Sequence, residues 1–252
     1  LKYWALSEKQ DFHVIPTDTI SISIDKDAVL RSGIMLPDSI RHLKGEDLKN
    51  AIPDKIYISL KDMRILTKVD MLMLEMLANC NWERPLYMAI SVGEVSKLKF
   101  DHYFVQEGLA FRFTPFDYKK WGNVKGDNNY AIDVERLYEN VMNRYKYGGL
   151  DTPGLYLDET TLRTCYYHRR LFAQLAKELI RQGDNTRARK VLAYAEQAVP
   201  AYNVPEIYES GSFDIAKAYA ALGEKTKAMP LLKYPTAESE DYINWAFSLG
   251  DN

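Results

Sequence analysis

The sequence predicts an α+β fold that is mostly helical. A small, mainly parallel α/β lobe is expected over residues 1–125, followed by an α-helical repeat lobe over residues 126–252. Three observations predict it. Strand-period and helix-period segments alternate in the first half, only helical periodicity follows Ile132, and a hairpin pattern around Ala176 recurs around Ala216.

In the first half, Ile20-Ser21-Ile22-Ser23-Ile24 places isoleucines on one face of a strand and serines on the other. Ile56 to Leu60 repeats the alternation. Leu86 to Ile90 is apolar throughout and reads as a central strand covered on both faces. Leu109 to Phe113 alternates again, with Arg112 facing out. Between the second and third strands, Thr67 stands where a side chain caps a helix, with Asp70 three positions on. That helix is expected to run through Leu77 and stop near Asn79–Asn81. Shorter helical pieces are expected at Asp27–Ser32 and Pro37–Lys44. Strand, crossover helix and strand is the grammar of a parallel βαβ sheet.

Residues 121–129 are rich in Gly, Asn and charge and read as a linker. Beyond them Val134, Leu137, Tyr138, Val141, Met142 and Tyr145 form one apolar helical stripe, closed by Gly148-Gly149. Asp158 can cap a long helix reaching about Gln182. A tetratricopeptide unit is a helical hairpin of about 34 residues with small residues where its helices touch. With Ala176 as the small residue, Leu175, Leu179, Gly183, Ala188, Leu192, Ala195 and Pro200 fall on suitable positions. A second unit on Ala216 uses Ile215, Tyr219, Gly223, Ala228 and Leu232. Pro230 and Pro235 are expected to shorten or kink it. Asn203 to Glu209 reads as an insertion, and Tyr242, Trp245, Ala246 and Leu249 as the first helix of a third unit or a cap.

Thirty-three basic residues face 35 acidic ones, spread as 18 against 17 over residues 1–126 and 15 against 18 beyond. Such balance argues against a nucleic-acid binder or a polybasic membrane binder. No apolar window is long enough to span a bilayer, so the chain reads as soluble. It begins at Leu1 without a leader pattern, and a fragment of something larger is expected. Tyrosine supplies 18 of the 31 aromatics (18 Tyr, 9 Phe and 4 Trp), mostly assigned to helical cores.

No HExxH, GxSxG, P-loop or GxGxxG is present, and His13, His42, His102 and His168 are isolated from one another. No catalytic residue, metal ligand or cofactor is expected. Two binding candidates stand out. Counting along the first helix of each hairpin puts Arg170, Ala173, Lys177 and Arg181, then Phe213, Lys217 and Ala220, on a concave face. A basic groove with one aromatic suits an acidic peptide or a glycan; solvated helix faces are the competing reading. The alternative is a polar pocket beyond the strand ends, at Asp25, Lys61, Asp62 and Ser91. Those residues read equally as loop turns and helix caps.

A resemblance covers nearly all of residues 20–235 in order. Its residues are Asn79-Cys-Asn-Trp-Glu-Arg-Pro-Leu-Tyr87, Lys68 to Leu77, Glu107-Gly-Leu-Ala-Phe-Arg112, Asp27 to Gly33, Tyr138 to Met142, Tyr147-Gly-Gly149 and Tyr156 to Glu159. They resemble the soluble C-terminal region of a polytopic membrane-protein family of Gram-negative anaerobes. That family is similar to protein O-mannosyltransferases, including a vertebrate relative with C-terminal tetratricopeptide repeats. The resemblance implies a periplasmic, non-catalytic interaction module beside an N-terminal membrane domain, holding an acceptor protein or glycan. The catalytic acid belongs to loops of the membrane part, so none is carried to this chain. A periplasmic setting also raises the chance of a Cys80–Cys165 disulfide against two free thiols.

Overall fold

The computed structural model describes residues 18–61, 65–92, 98, 101–124 and 130–249. The chain forms two compact units, the first of Leu1–Gln106 and Ala110–Ala131, the second of Glu107–Leu109 and Ile132–Asn252. The fold is α+β and mostly helical.

In the first unit, strands β1 (Thr19–Ser23) and β2 (Lys55–Ser59) pair with Ile22 opposite Ile56 and Ile20 opposite Ile58. Ile22, Ile56 and Ile58 are buried while Tyr57 is 63% exposed. One face therefore carries the core, each isoleucine contributing about 1.5–3 kcal/mol on burial. The pairing is antiparallel, which corrects the parallel expectation. Only α1 (Lys26–Arg31) and α2 (Gly45–Ala51) join the strands, of six and seven residues. The one-faced alternation of the isoleucines is itself the mark of an antiparallel pair. Pro37–Lys44 forms turns in place of the expected helix.

Helix α3 (Lys68–Asn79) starts as expected: the Thr67 hydroxyl accepts from the Asp70 amide at 3.2 Å, and the Asp70 carboxylate accepts from the Thr67 amide at 2.8 Å. A separate four-stranded sheet follows, in the order β3-β5-β4-β6. Its strands are β3 (Tyr87–Ala89), β4 (Phe104–Gln106), β5 (Ala110–Phe113) and β6 (Ala131–Ile132). β5 pairs antiparallel with both neighbours. β3 is an edge strand with Tyr87 and Ala89 exposed, not the central strand its apolar run predicts. Arg112 on β5 is buried rather than outward. It donates to the carbonyl of Ser32 at 2.8 Å and reaches that of Gly33 at 3.5 Å. The core joins Ile22, Val29, Leu74, Trp82, Phe113 and Phe116 in one apolar cluster.

The second unit is helical apart from its share of β6. Asp133 caps α4 (Val134–Glu139) by accepting from the Arg136 amide, and a π-helical turn at Asn140–Arg144 extends it. Asn140 donates to the Glu107 carbonyl at 2.7 Å, and Arg136 pairs with the Glu107 carboxylate at 3.2 Å. Two helical hairpins follow, α5 (Glu159–Arg181) with α6 (Asn185–Ala198), and α7 (Ser212–Ala221) with α8 (Lys225–Ser248). Ala176, Ala188, Ala195, Ala216 and Ala228 are all buried, as small residues at helix contacts should be. Gly183 and Gly223 adopt positive φ in the hairpin turns, and Gly211 does so just before α7. Pro230 and Pro235 do not shorten α8, which runs through both. Each removes one amide donor; α8 packs on α7, and Ala228 and Pro235 are its buried residues. Tyr242, Trp245 and Leu249 are consequently exposed on the end of α8 and its cap, not on the first helix of a third unit.

Candidate functional site

The expected cationic face lies on α5 and α7, which pack side by side. Arg170, Lys177, Arg181, Phe213 and Lys217 are all exposed. Several are engaged locally. Arg170 donates to the Glu209 carbonyl and stacks 5.9 Å from the Tyr167 ring centre. Arg181 forms a 2.6 Å pair with Glu178, one helical turn away. The Lys217 ammonium sits 4.2 Å from the Phe213 ring centre and 3.7 Å from Asp214. Lys177 has no ion partner among the described residues, whereas Ala173 is buried and does not line the face.

The strand-end residues are not brought together. Asp25 accepts from the Ala28 amide at 2.9 Å and so caps α1. Because β1 and β2 run antiparallel, their C-terminal ends, leading to Asp25 and Lys61, lie at opposite ends of the pair. Ser91 follows β3 of the other sheet, and Asp62 lies outside the described residues. A common edge of carboxyl ends requires parallel strands, and this sheet has none.

A site missed in the sequence is a cleft of about 430 Å³ in the second unit, between α6, the segment after it, α7 and the start of α8. Arg169 of α5 builds it. Its guanidinium is buried and donates to the carbonyls of Val199 at 3.1 Å, Val204 at 2.7 Å and Pro205 at 3.0 Å, and to the Ser212 hydroxyl at 3.3 Å. Four acceptors take up its two terminal nitrogens and fix the cleft wall. The lining combines apolar Ala195, Val199, Ile215 and Leu231 with the charged Glu196, Glu206 and Lys227. Glu196 accepts from the Tyr219 hydroxyl, and Lys227 pairs with Glu224 at 2.8 Å. Burial raises the Glu206 carboxyl above its usual pKa; Arg169 opposes that shift and Glu196 reinforces it. Nothing hydrogen-bonds the Glu206 carboxylate among the described residues. Arg169 is one position from Arg170, and helical spacing marked only the exposed one.

A second hollow, about 540 Å³, is lined by Tyr145, Tyr147, Tyr194 and Gln197. The hydroxyls of two of these tyrosines are committed. Tyr147 donates to the Val141 carbonyl at 2.8 Å, and Tyr145 accepts from the Leu109 amide at 2.9 Å. Burial raises the Tyr147 phenol and lowers the His168 imidazole, whose ring lies 5.2 Å from that of Tyr147. Cys80 and Cys165 carry free thiols, the second buried and raised in pKa by that burial.

Among the described residues no group of three or more His, Cys, Asp or Glu side chains is arranged to hold a metal ion. No described helix is long and apolar enough to cross a membrane. A family model described as TMEM260-associated domain 2 matches residues 2–135, TMEM260 being a membrane-protein family. No curated protein and no solved structure matches the chain. The matched stretch is just over half of the 252 residues and takes in the Trp82 loop, the capped α3 and both sheets, so the chain belongs to the TMEM260-associated domain 2 family.

Proposed function

We propose that this chain is a non-catalytic interaction module of a membrane glycosyltransferase-like protein. In this reading it lies on the periplasmic side beside an N-terminal membrane domain, and its tetratricopeptide-like second unit holds acceptor protein or glycan. The association of the family with a membrane protein supports the setting. One observation carries the binding role: α5 and α7 pack side by side and expose Arg170, Lys177, Arg181 and Lys217 with the Phe213 ring. Arg170 and Lys217 are held by ring contacts and local bonds, so the charges are presented at defined positions. Lys177 is the side chain left to engage an incoming carboxylate.

The test is fluorescence anisotropy with a labelled oligoglutamate peptide. Binding should fall steeply with salt and weaken about tenfold in the Lys177→Glu/Lys217→Glu double variant, while the melting temperature stays within a few degrees. Equal binding by the double variant removes the groove from the proposal.

A further inference from the structure

The cleft walled by Arg169 is a different feature from the cationic face, and its lining mixes both signs, with Glu196 and Glu206 beside Arg169 and Lys227. Its lining includes the aliphatic side chains of Ala195, Val199, Ile215 and Leu231. Glu206 and Glu196 both line it, and the two carboxylates are close enough for each other's charge to be felt. Two cations lie nearby, and the charge of Arg169 acts on Glu206 although its hydrogen bonds go elsewhere. Arg169 is held by three carbonyls and a hydroxyl, and Lys227 by Glu224. Glu196 is held by Tyr219. Glu206 is thus a half-buried carboxylate without a hydrogen bond, in a lining that also carries aliphatic side chains.

A partly aliphatic cleft whose lining holds a carboxylate free of hydrogen bonds is complementary to a long aliphatic stem ending in a cation. Lysine and arginine side chains have that form. The volume of about 430 Å³ exceeds what one such side chain fills, leaving room for the backbone that carries it. The wall from Val199 to Pro205 is pinned at three carbonyls by Arg169, so the slot is formed before anything enters it.

We propose that this cleft is a docking site for a basic side chain of an extended polypeptide segment, its ammonium or guanidinium received by Glu206 and its stem lying on Val199, Ile215 and Leu231. The site reads a positive residue, whereas the face on α5 and α7 is suited to negative ones. It does not depend on that face, and either can fail alone.

The experiment uses the whole chain and two labelled pentapeptides, Gly-Leu-Lys-Leu-Gly and its analogue with norleucine in place of lysine. Fluorescence anisotropy should show the lysine peptide binding about tenfold or more tighter. Glu206→Gln should remove that preference and leave norleucine-peptide binding unchanged. Thr226→Trp, a substitution at an exposed lip position, should block both peptides by filling the slot. Lys177→Glu should change neither. Equal binding of the two peptides, or a lysine preference that survives Glu206→Gln, overturns the proposal. Saturation by n-butylammonium at the peptide's own concentration would make this a small-amine site and overturn the polypeptide assignment.

Discussion

The indole nitrogen of Trp82 donates to the carbonyl of Ser23, 2.9 Å away, and ties the loop after α3 to the end of β1. Trp82 is only 5% exposed, and its ring stacks on Phe113 at 5.7 Å between centres. The backbone bends sharply to deliver it, since Asn81 and Trp82 both take positive φ, at 49° and 61°. A left-handed tryptophan is held only by surroundings that over-determine it. Within the Asn79–Tyr87 stretch, Trp82 is therefore a structural residue of the first unit.

Trp82→Phe should lose the bond to Ser23 and cost about 1–2 kcal/mol, whereas Trp82→Ala should cost roughly 3–5 kcal/mol through the cavity it leaves. Urea unfolding measures both. A loss below 1 kcal/mol for the alanine variant would show that Trp82 does not hold the core.

Arg169 makes a second prediction. Lysine at this position keeps the charge but lacks the planar fork, so Arg169→Lys leaves carbonyls of Val199, Val204 or Pro205 unpaired. A loss of about 2–3 kcal/mol is expected in thermal or urea unfolding. Lys217→Ala on the exposed face serves as the control and should lie within about 0.5 kcal/mol of the parent.

The three hairpin glycines should respond unequally to alanine. A Cβ on Gly183 or Gly223 meets nothing within 4 Å, so only the positive φ is penalised, by about 1 kcal/mol. A Cβ on Gly211 would lie 2.8 Å from Arg170 Cγ and 3.2 Å from the Arg170 amide nitrogen. Gly211→Ala should therefore lower the melting temperature further than the other two, and equal losses would refute the close approach of α7 to α5.

His168 predicts a pH dependence. Burial lowers its folded pKa below the ordinary 6.5, so the unfolded chain binds the proton more readily. Its contribution to stability is complete above pH 6.5 and declines as pH falls from there to the folded pKa. The slope is at most about 1.4 kcal/mol per pH unit for one proton. Melting curves of the parent and His168→Gln between pH 7.5 and 5 should converge toward low pH; a parallel pair of curves would mean that His168 titrates normally.

Several features were legible without the fold because they are local. The alternation from Ile20 to Ile24 and from Ile56 to Leu60 sets which side chains are buried. Thr67 and Asp70 cap α3 with groups three residues apart. Ala176 and Ala188 mark a helix contact within one hairpin. Strand direction was not legible, since alternation states which face is buried and not which strand lies alongside. Arg112 was misplaced for a similar reason: its acceptors at Ser32 and Gly33 lie about 80 residues away. The cleft at Glu206 needed still more of the fold, because its lining comes from α5, α6, α7, α8 and the segment between the hairpins. Neighbours within a few residues were enough to set the buried faces of β1 and β2, the cap of α3 and the small-residue contact of α5 with α6. Only the assembled fold decided antiparallel pairing, the inward turn of Arg112 and the half-buried setting of Glu206 beside Arg169, because their partners and desolvation come from distant parts of the chain.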